Sequence, residues 1–328
     1  MEARLRPLNG LLGLCMAGDL NPAQLADAGF RLIALEVPVG VEEGRVVVDA
    51  VVLHEPSALL LACECKSGAN VEEAQARKYA ALDPVALAQA ASFDLRGGRP
   101  SVEPMYVCLA EHASRIQQGL RATGVSAALL TVSPDRLDLV DSDRAPRALV
   151  DAWPERGVKL TAGVPRIIPC DAESPSDVLK PQIHAVLVSH LTQRTSHVAS
   201  VVIANETLRN LPIYGAAARH RFERKVDICL RAIAHDHPNT YRFEPSTAAR
   251  EAVVRFLRTP EDNDNRGRTQ AYQAQARPRH TGRKPATQDP DQLDLLDELA
   301  AGTEDADEPD DTEGGARDGT GRPRGTPG

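Results

Sequence analysis

Residues 46–79 read VVVDAVVLHEPSALLLACECKSGANVEEAQARKY. Two apolar runs, 46–54 and 59–66, are separated by Glu55-Pro56-Ser57, a turn composition. Runs of this length, rich in Val and Leu and nearly free of polar alternation, predict strands covered on both faces. Each run nevertheless carries charge. Asp49 interrupts the first, and Glu64 and Lys66 end the second. Side chains alternate along a strand, so Glu64 and Lys66 share a face and Cys65 takes the other. Pairing about the turn brings Asp49 near Glu64. Burying such charges is costly unless they pair or bind a cation. A conflict of this kind between local pattern and charge marks a functional site.

Working outward, Arg31–Val39 predicts a preceding strand, so 31–66 reads as a three-stranded antiparallel meander. Upstream, 1–29 reads as mostly helical, with Asp19 or Asn21 capping a segment that closes at Gly29. Downstream, 71–92 reads as helix with a break at Pro84, Met105–Glu111 as strand, Ala113–Thr123 as helix ending at Gly124, and 126–132 and 136–140 as further strands. The order predicts an α/β fold with a mixed sheet. Residues 146–175 read as a linker between a domain at 1–145 and a helical domain at 176–259. In the latter, helices are expected at 178–192, 196–205, 216–235 and 247–258, with a short strand at 240–243.

The chain has 328 residues and a formal charge of −8, most of it in a tail. From Glu261 onward there are 16 acids and 9 bases, a net of −7, which leaves −1 for the rest. Residues 260–328, rich in Pro, Gly and charge, are expected to be disordered. The leucines of 291–300 (DQLDLLDELA) make that stretch a candidate docking segment for a protein partner. No run approaches the roughly 18 apolar residues of a membrane span, and a cytoplasmic protein with six reduced cysteines is expected. No Cys-x-x-Cys pair supports a zinc or iron–sulfur site.

The carboxylates suit a hard cation such as Mg²⁺, with Mn²⁺ as a substitute, and a neighbouring lysine can orient a water. That combination performs metal-assisted phosphodiester hydrolysis. Asp49, fourteen intervening residues and Glu64-Cys65-Lys66 resemble the PD-(D/E)xK, or restriction-endonuclease-like, nuclease superfamily. Val48 stands where the family name has proline. Gln75-Ala-Arg-Lys-Tyr79 resembles the Gln-x-x-x-Tyr motif of its RecB-like and Cas4-like branches, with both residues on one helix face.

The resemblance covers about residues 1–140. It implies an αβββαβ core, Asp49 and Glu64 as metal ligands with the Cys65 carbonyl as a third, and Lys66 as the residue that positions the attacking water. Gln75 and Tyr79 would order the site. Glu36, the single acid in 31–39, is the candidate for a further acid, with Glu2 as a weaker one. Arg219, Arg221, Arg224 and Lys225 are candidate DNA contacts on a helix that would belong to a module of winged-helix type. The implied activity is DNA cleavage in repair or antiviral defence; a homodimer is a candidate assembly. The alternative is a non-catalytic DNA-binding or assembly protein that keeps the fold.

Overall fold

A computed structural model describes residues 2–16, 21–94, 100–248 and 250–257. The tail 260–328, its segment 291–300 and Asp19 lie outside the described residues.

The apolar runs form strands as expected, because a both-faces-buried run needs a partner layer on each side. Strands β1 (Phe30–Val41), β2 (Gly44–His54) and β3 (Leu59–Lys66) make the antiparallel meander. Helices α1 (Arg6–Cys15) and α2 (Gln24–Asp27) precede it. Helices α3 (Glu73–Ala80) and α4 (Pro84–Ala90) follow it, with the break at Pro84 where the sequence put it and Asp83 capping α4. Then come β4 (Ser101–Leu109), α5 (Ala113–Thr123), β5 (Ala128–Val132) and β6 (Arg136–Val140). Gly124, with φ of 71°, ends α5 in the left-handed conformation that glycine accepts without strain. After α6 (Arg147–Ala152) comes β7 (Val158–Lys159), which completes a seven-stranded sheet in sequential order. The β3–β4 and β4–β5 pairs are parallel and the others antiparallel. The fold is therefore α/β with a mixed sheet.

Alternate residues of β2 and β3 explain the double coverage. Ala50, Val52, Leu59, Leu61 and Cys63 join one core with α1. Val51, Leu53, Leu60 and Ala62 join another with Tyr79 and Leu87 from α3 and α4. A third cluster seats Ala76, Ile116 and Leu120 over Tyr106, Cys108 and Leu129.

Beyond β7 lie α7 (Ser176–Thr192), β8 (His197–Ala199), α8 (Ser200–Thr207), α9 (Ala216–Asp236), β9 (Tyr241–Glu244) and β10 (Val253–Phe256). The last three strands form a separate sheet ordered β8–β10–β9. Two expectations are corrected here. Residues 247–258 were expected to be helical, but 253–256 is a strand. Val254 and Phe256 are buried with Arg255 exposed between them, a period of two that only pairing with β8 and β9 makes decisive. Residues 196–199 are likewise not part of α8.

The expected linker at 146–175 is folded. It holds α6 and β7 and buries Leu149, Leu160, Ile168 and Cys170. The Asn9 side chain, on α1, donates to the Ile168 carbonyl at 2.9 Å and accepts from its N–H at 2.7 Å, acting as a backbone surrogate. Arg4 grips Asp171. The core that contains α1 continues through Ile168 and Leu179 to Phe222 and Phe256, so 1–145 and 176–256 share apolar packing. No helix among the described residues is long and apolar enough to cross a membrane.

Candidate active site

The site forms where β2 and β3 part. Their ladder runs from His54↔Leu59 to Ala50↔Cys63 and stops. The next register position opposes Asp49 and Glu64. Asp49 Oδ2 accepts the Cys65 N–H at 2.7 Å, so a side-chain oxygen replaces the strand carbonyl that the ladder would have supplied. Cys65 packs towards the α1 side of the sheet. Glu64 and Lys66 therefore point to the α3 side, as alternation requires.

Helix α3 supplies the rest. Gln75 and Tyr79, four apart, both reach Glu64. Tyr79 Oη donates to Glu64 Oε2 at 2.5 Å and also lies 3.1 Å from the Val47 carbonyl oxygen. Gln75 Nε2 donates to Glu64 Oε1 at 3.0 Å, and Gln75 Oε1 accepts from Lys66 Nζ at 2.8 Å. Lys66 Nζ also stands 2.8 Å from Glu64 Oε1. Glu64 is 5% exposed, and Tyr79 1%. Tyr79, Gln75 and Lys66 supply the donors that satisfy both oxygens of this buried side chain. Glu64, Lys66, Gln75 and Tyr79 are thus joined in one hydrogen-bonded network, and Asp49 lies beside it, bonded to the Cys65 N–H.

The electrostatics are unbalanced. Burial pushes the Asp49 carboxyl well above its usual range, and the Glu64 charge pushes it further; the Cys65 N–H and Lys66 pull it back. Asp49 touches no cationic side chain among the described contacts. Excess negative charge of this kind is what a divalent cation relieves. Burial also raises the Tyr79 phenol and the Cys65 thiol. Tyr79 therefore remains a donor at neutral pH, and Cys65 is not a thiolate ligand. Among the described residues, no three His, Cys, Asp or Glu side chains gather into a ready-made metal cage. Asp49 and Glu64 are the carboxylates whose chemistry fits Mg²⁺ or Mn²⁺.

Glu36 lies on β1 at the position matching Asp49, between the pairs Leu35↔Ala50 and Val37↔Val48. Its φ of 47° is uncommon for a residue with a Cβ. The kink switches faces: Leu35 joins the α1 core and Val37 the α3–α4 core. The Glu36 carboxylate accepts from Arg221 Nη2 at 2.6 Å. Two residues assigned separate roles from sequence, metal ligand and DNA contact, are thus partners in this structure. Burial raises the Glu36 carboxyl, while Arg221 opposes that shift. Glu2, the weaker candidate, pairs with Arg4 and Ser174 instead.

On α9, Arg221 and Arg224 lie on an exposed stripe with Ile228 and Arg231, whereas Arg219 and Lys225 are half-buried beside it. Arg231 sits 5.8 Å from the Phe243 ring centre. Sequence reasoning missed Tyr106. It lies on β4 in register with Glu64, and its buried hydroxyl has no hydrogen-bond partner among the described residues. Its polar tip within an apolar strand was the available signal, but the register to Glu64 was not.

Compared with known proteins, the chain matches no family model, no curated protein and no solved structure.

Proposed function

We propose that the protein is a metal-dependent nuclease of the PD-(D/E)xK type that hydrolyses DNA phosphodiester bonds. The observation that carries this reading is the network in which Lys66, Gln75 and Tyr79 converge on Glu64, with Asp49 just beyond the end of the β2–β3 ladder and bonded to the Cys65 N–H. A scaffold gains nothing from two like charges at the end of buried strands, whereas a phosphodiesterase needs them. Asp49 and Glu64 would hold Mg²⁺ or Mn²⁺, with the Cys65 carbonyl as a further oxygen. The chemistry such a cation would supply is neutralisation of phosphate charge and a lower pKa for bound water. Lys66 would orient the attacking water and offset charge on the phosphorane-like transition state. Water adds to phosphorus, a P–O ester bond breaks, and the leaving oxygen takes a proton.

The C-terminal elements support a DNA-binding role. Their order is helix, strand, helix, helix and two strands, with the sheet β8–β10–β9, an arrangement that resembles a winged helix. In that reading α9 is the helix that meets DNA, and its stripe of Arg221, Arg224 and Arg231 around exposed Ile228 suits a phosphate backbone. The same stripe is what favours the second reading, a DNA-binding protein without catalysis. DNA repair and antiviral defence are the settings the family resemblance implies.

The deciding experiment incubates plasmid, linear duplex and single-stranded DNA with Mg²⁺ or Mn²⁺, using wild type, Lys66→Ala and Asp49→Ala. Metal-dependent cleavage by wild type and its loss in both variants is expected. Binding without cleavage by wild type on every DNA form would establish the second reading instead.

A further inference from the structure

The start of α9 is fastened to the β1 kink by the main chain. The Gly215 N–H donates to the Leu35 carbonyl at 2.8 Å, and Tyr214 forms a parallel bridge with Leu35. A Cβ at Gly215 would collide with the Glu36 carbonyl oxygen, so only glycine permits this approach. Six residues later Arg221 reaches Glu36. The Arg221 side chain is 47% exposed and the Glu36 side chain 27%, so the pair lies at the solvent edge of the acidic site. The Glu36 charge is felt at Asp49, raising its carboxyl further. Lys66 neutralises Glu64, and Arg221 does the same for Glu36.

We propose that Arg221 is an exchangeable partner of Glu36. It holds that carboxylate while the site carries no divalent cation, and it turns to a phosphate of bound nucleic acid when Glu36 joins Asp49 and Glu64 in holding the cation. This inference rests on the nuclease reading and extends it, making Arg221 a positioning residue and placing the phosphate track of α9 against the metal site. The argument is one of charge and reach. A guanidinium binds carboxylate and phosphate oxygens by the same fork. A half-exposed ion pair is weak enough to be traded, since solvent screens it and holding two long side chains together costs entropy. Arg221 also heads the exposed stripe that continues through Arg224 to Arg231, so a strand tracked along α9 meets Arg221 at the end that touches Glu36, the residue of β1 between the pairs flanking Asp49.

The exchange predicts opposite effects of one substitution on two ligands. In Arg221→Gln the competitor for Glu36 is gone, so Mn²⁺ alone, titrated by calorimetry into the metal-free protein, binds up to about fivefold tighter. The same variant binds a labelled duplex or single-stranded oligonucleotide more weakly, measured in an Asp49→Asn background where cleavage is blocked. The slope of log affinity against log salt becomes shallower by about 0.9 for duplex or about 0.7 for a single strand. Arg221→Lys restores the salt slope. In Glu36→Gln, adding Arg221→Gln no longer changes Mn²⁺ affinity. A purely structural latch predicts weaker or unchanged Mn²⁺ binding and an unchanged salt slope, and either result overturns the proposal. Wild type that binds neither Mn²⁺ nor DNA, and cleaves nothing, refutes the nuclease reading itself. Melting curves confirm that each variant is folded.

Discussion

Asp49→Asn tests whether the site is built around unrelieved negative charge. Asparagine keeps an oxygen for the Cys65 N–H and removes only the charge. In the wild type the Asp49 carboxyl is raised by burial and by Glu64, so the folded protein holds its proton more tightly than the unfolded chain. The sign follows from linkage. Stability is undiminished at pH values below the unfolded pKa of about 3.9. It falls as pH rises from there to the folded pKa, because the folded state binds more protons throughout that window. The Glu36 carboxyl is raised too and contributes in the same direction. Asparagine does not titrate. The Tm of Asp49→Asn minus that of wild type, in chelator, should therefore increase between about pH 5 and about pH 8.

Neutralising Asp49 removes the desolvation penalty of a buried ion, roughly several kcal/mol, less the attraction of Lys66 and the Cys65 N–H that is lost with the charge. Each kcal/mol corresponds to about 2–4 °C in Tm for a body of this size. Mg²⁺ should reverse the order. A cation at a hundred times its Kd adds about 2.7 kcal/mol to the wild type, and Asp49→Asn should gain much less. The assay is thermal denaturation by circular dichroism at the two pH values, with chelator and with Mg²⁺. The reasoning is refuted if Asp49→Asn is less stable than wild type in chelator near pH 8, or if the difference does not vary with pH.

Two further outcomes are expected. Tyr79→Phe removes the shortest donor to Glu64, so it should destabilise by about 1.5–3 kcal/mol, the range for hydrogen bonds to charged groups; it should also slow cleavage, and urea denaturation with single-turnover kinetics checks both. Tyr106→Phe deletes a buried hydroxyl that has no partner among the described residues and should be neutral or stabilising. A loss above about 1 kcal/mol in urea denaturation would show that ordered water satisfies the hydroxyl.

Much of the scaffold was legible because it rests on short-range signals. The 46–66 run announced buried strands by length and branching, the break at Pro84 and the helix stop at Gly124 followed from backbone chemistry, and the meander followed from short connections. The spacing of Gln75 and Tyr79 placed them on one helix face, and both reach Glu64. Residues 247–258 failed because an apolar segment of that length fits a helix or a strand until its partners are known. The 146–175 segment failed because Leu149, Ile168 and Cys170 have no period of their own and are buried by packing against other parts of the chain.

By itself, then, the sequence determined an α/β chain with charges confined inside strands, and so determined where chemistry was to be sought. The turn at 55–57 already brought Asp49 near Glu64; tertiary structure alone decided where the β2–β3 ladder stops, the left-handed kink that turns Glu36 out of its strand pattern, and the contact of Arg221 with Glu36 across 185 positions of sequence. The physical reason is that periodicity reports which face a side chain takes. It does not report which distant backbone lies opposite, and a pair of weak, half-exposed charges leaves no local signature of its partner.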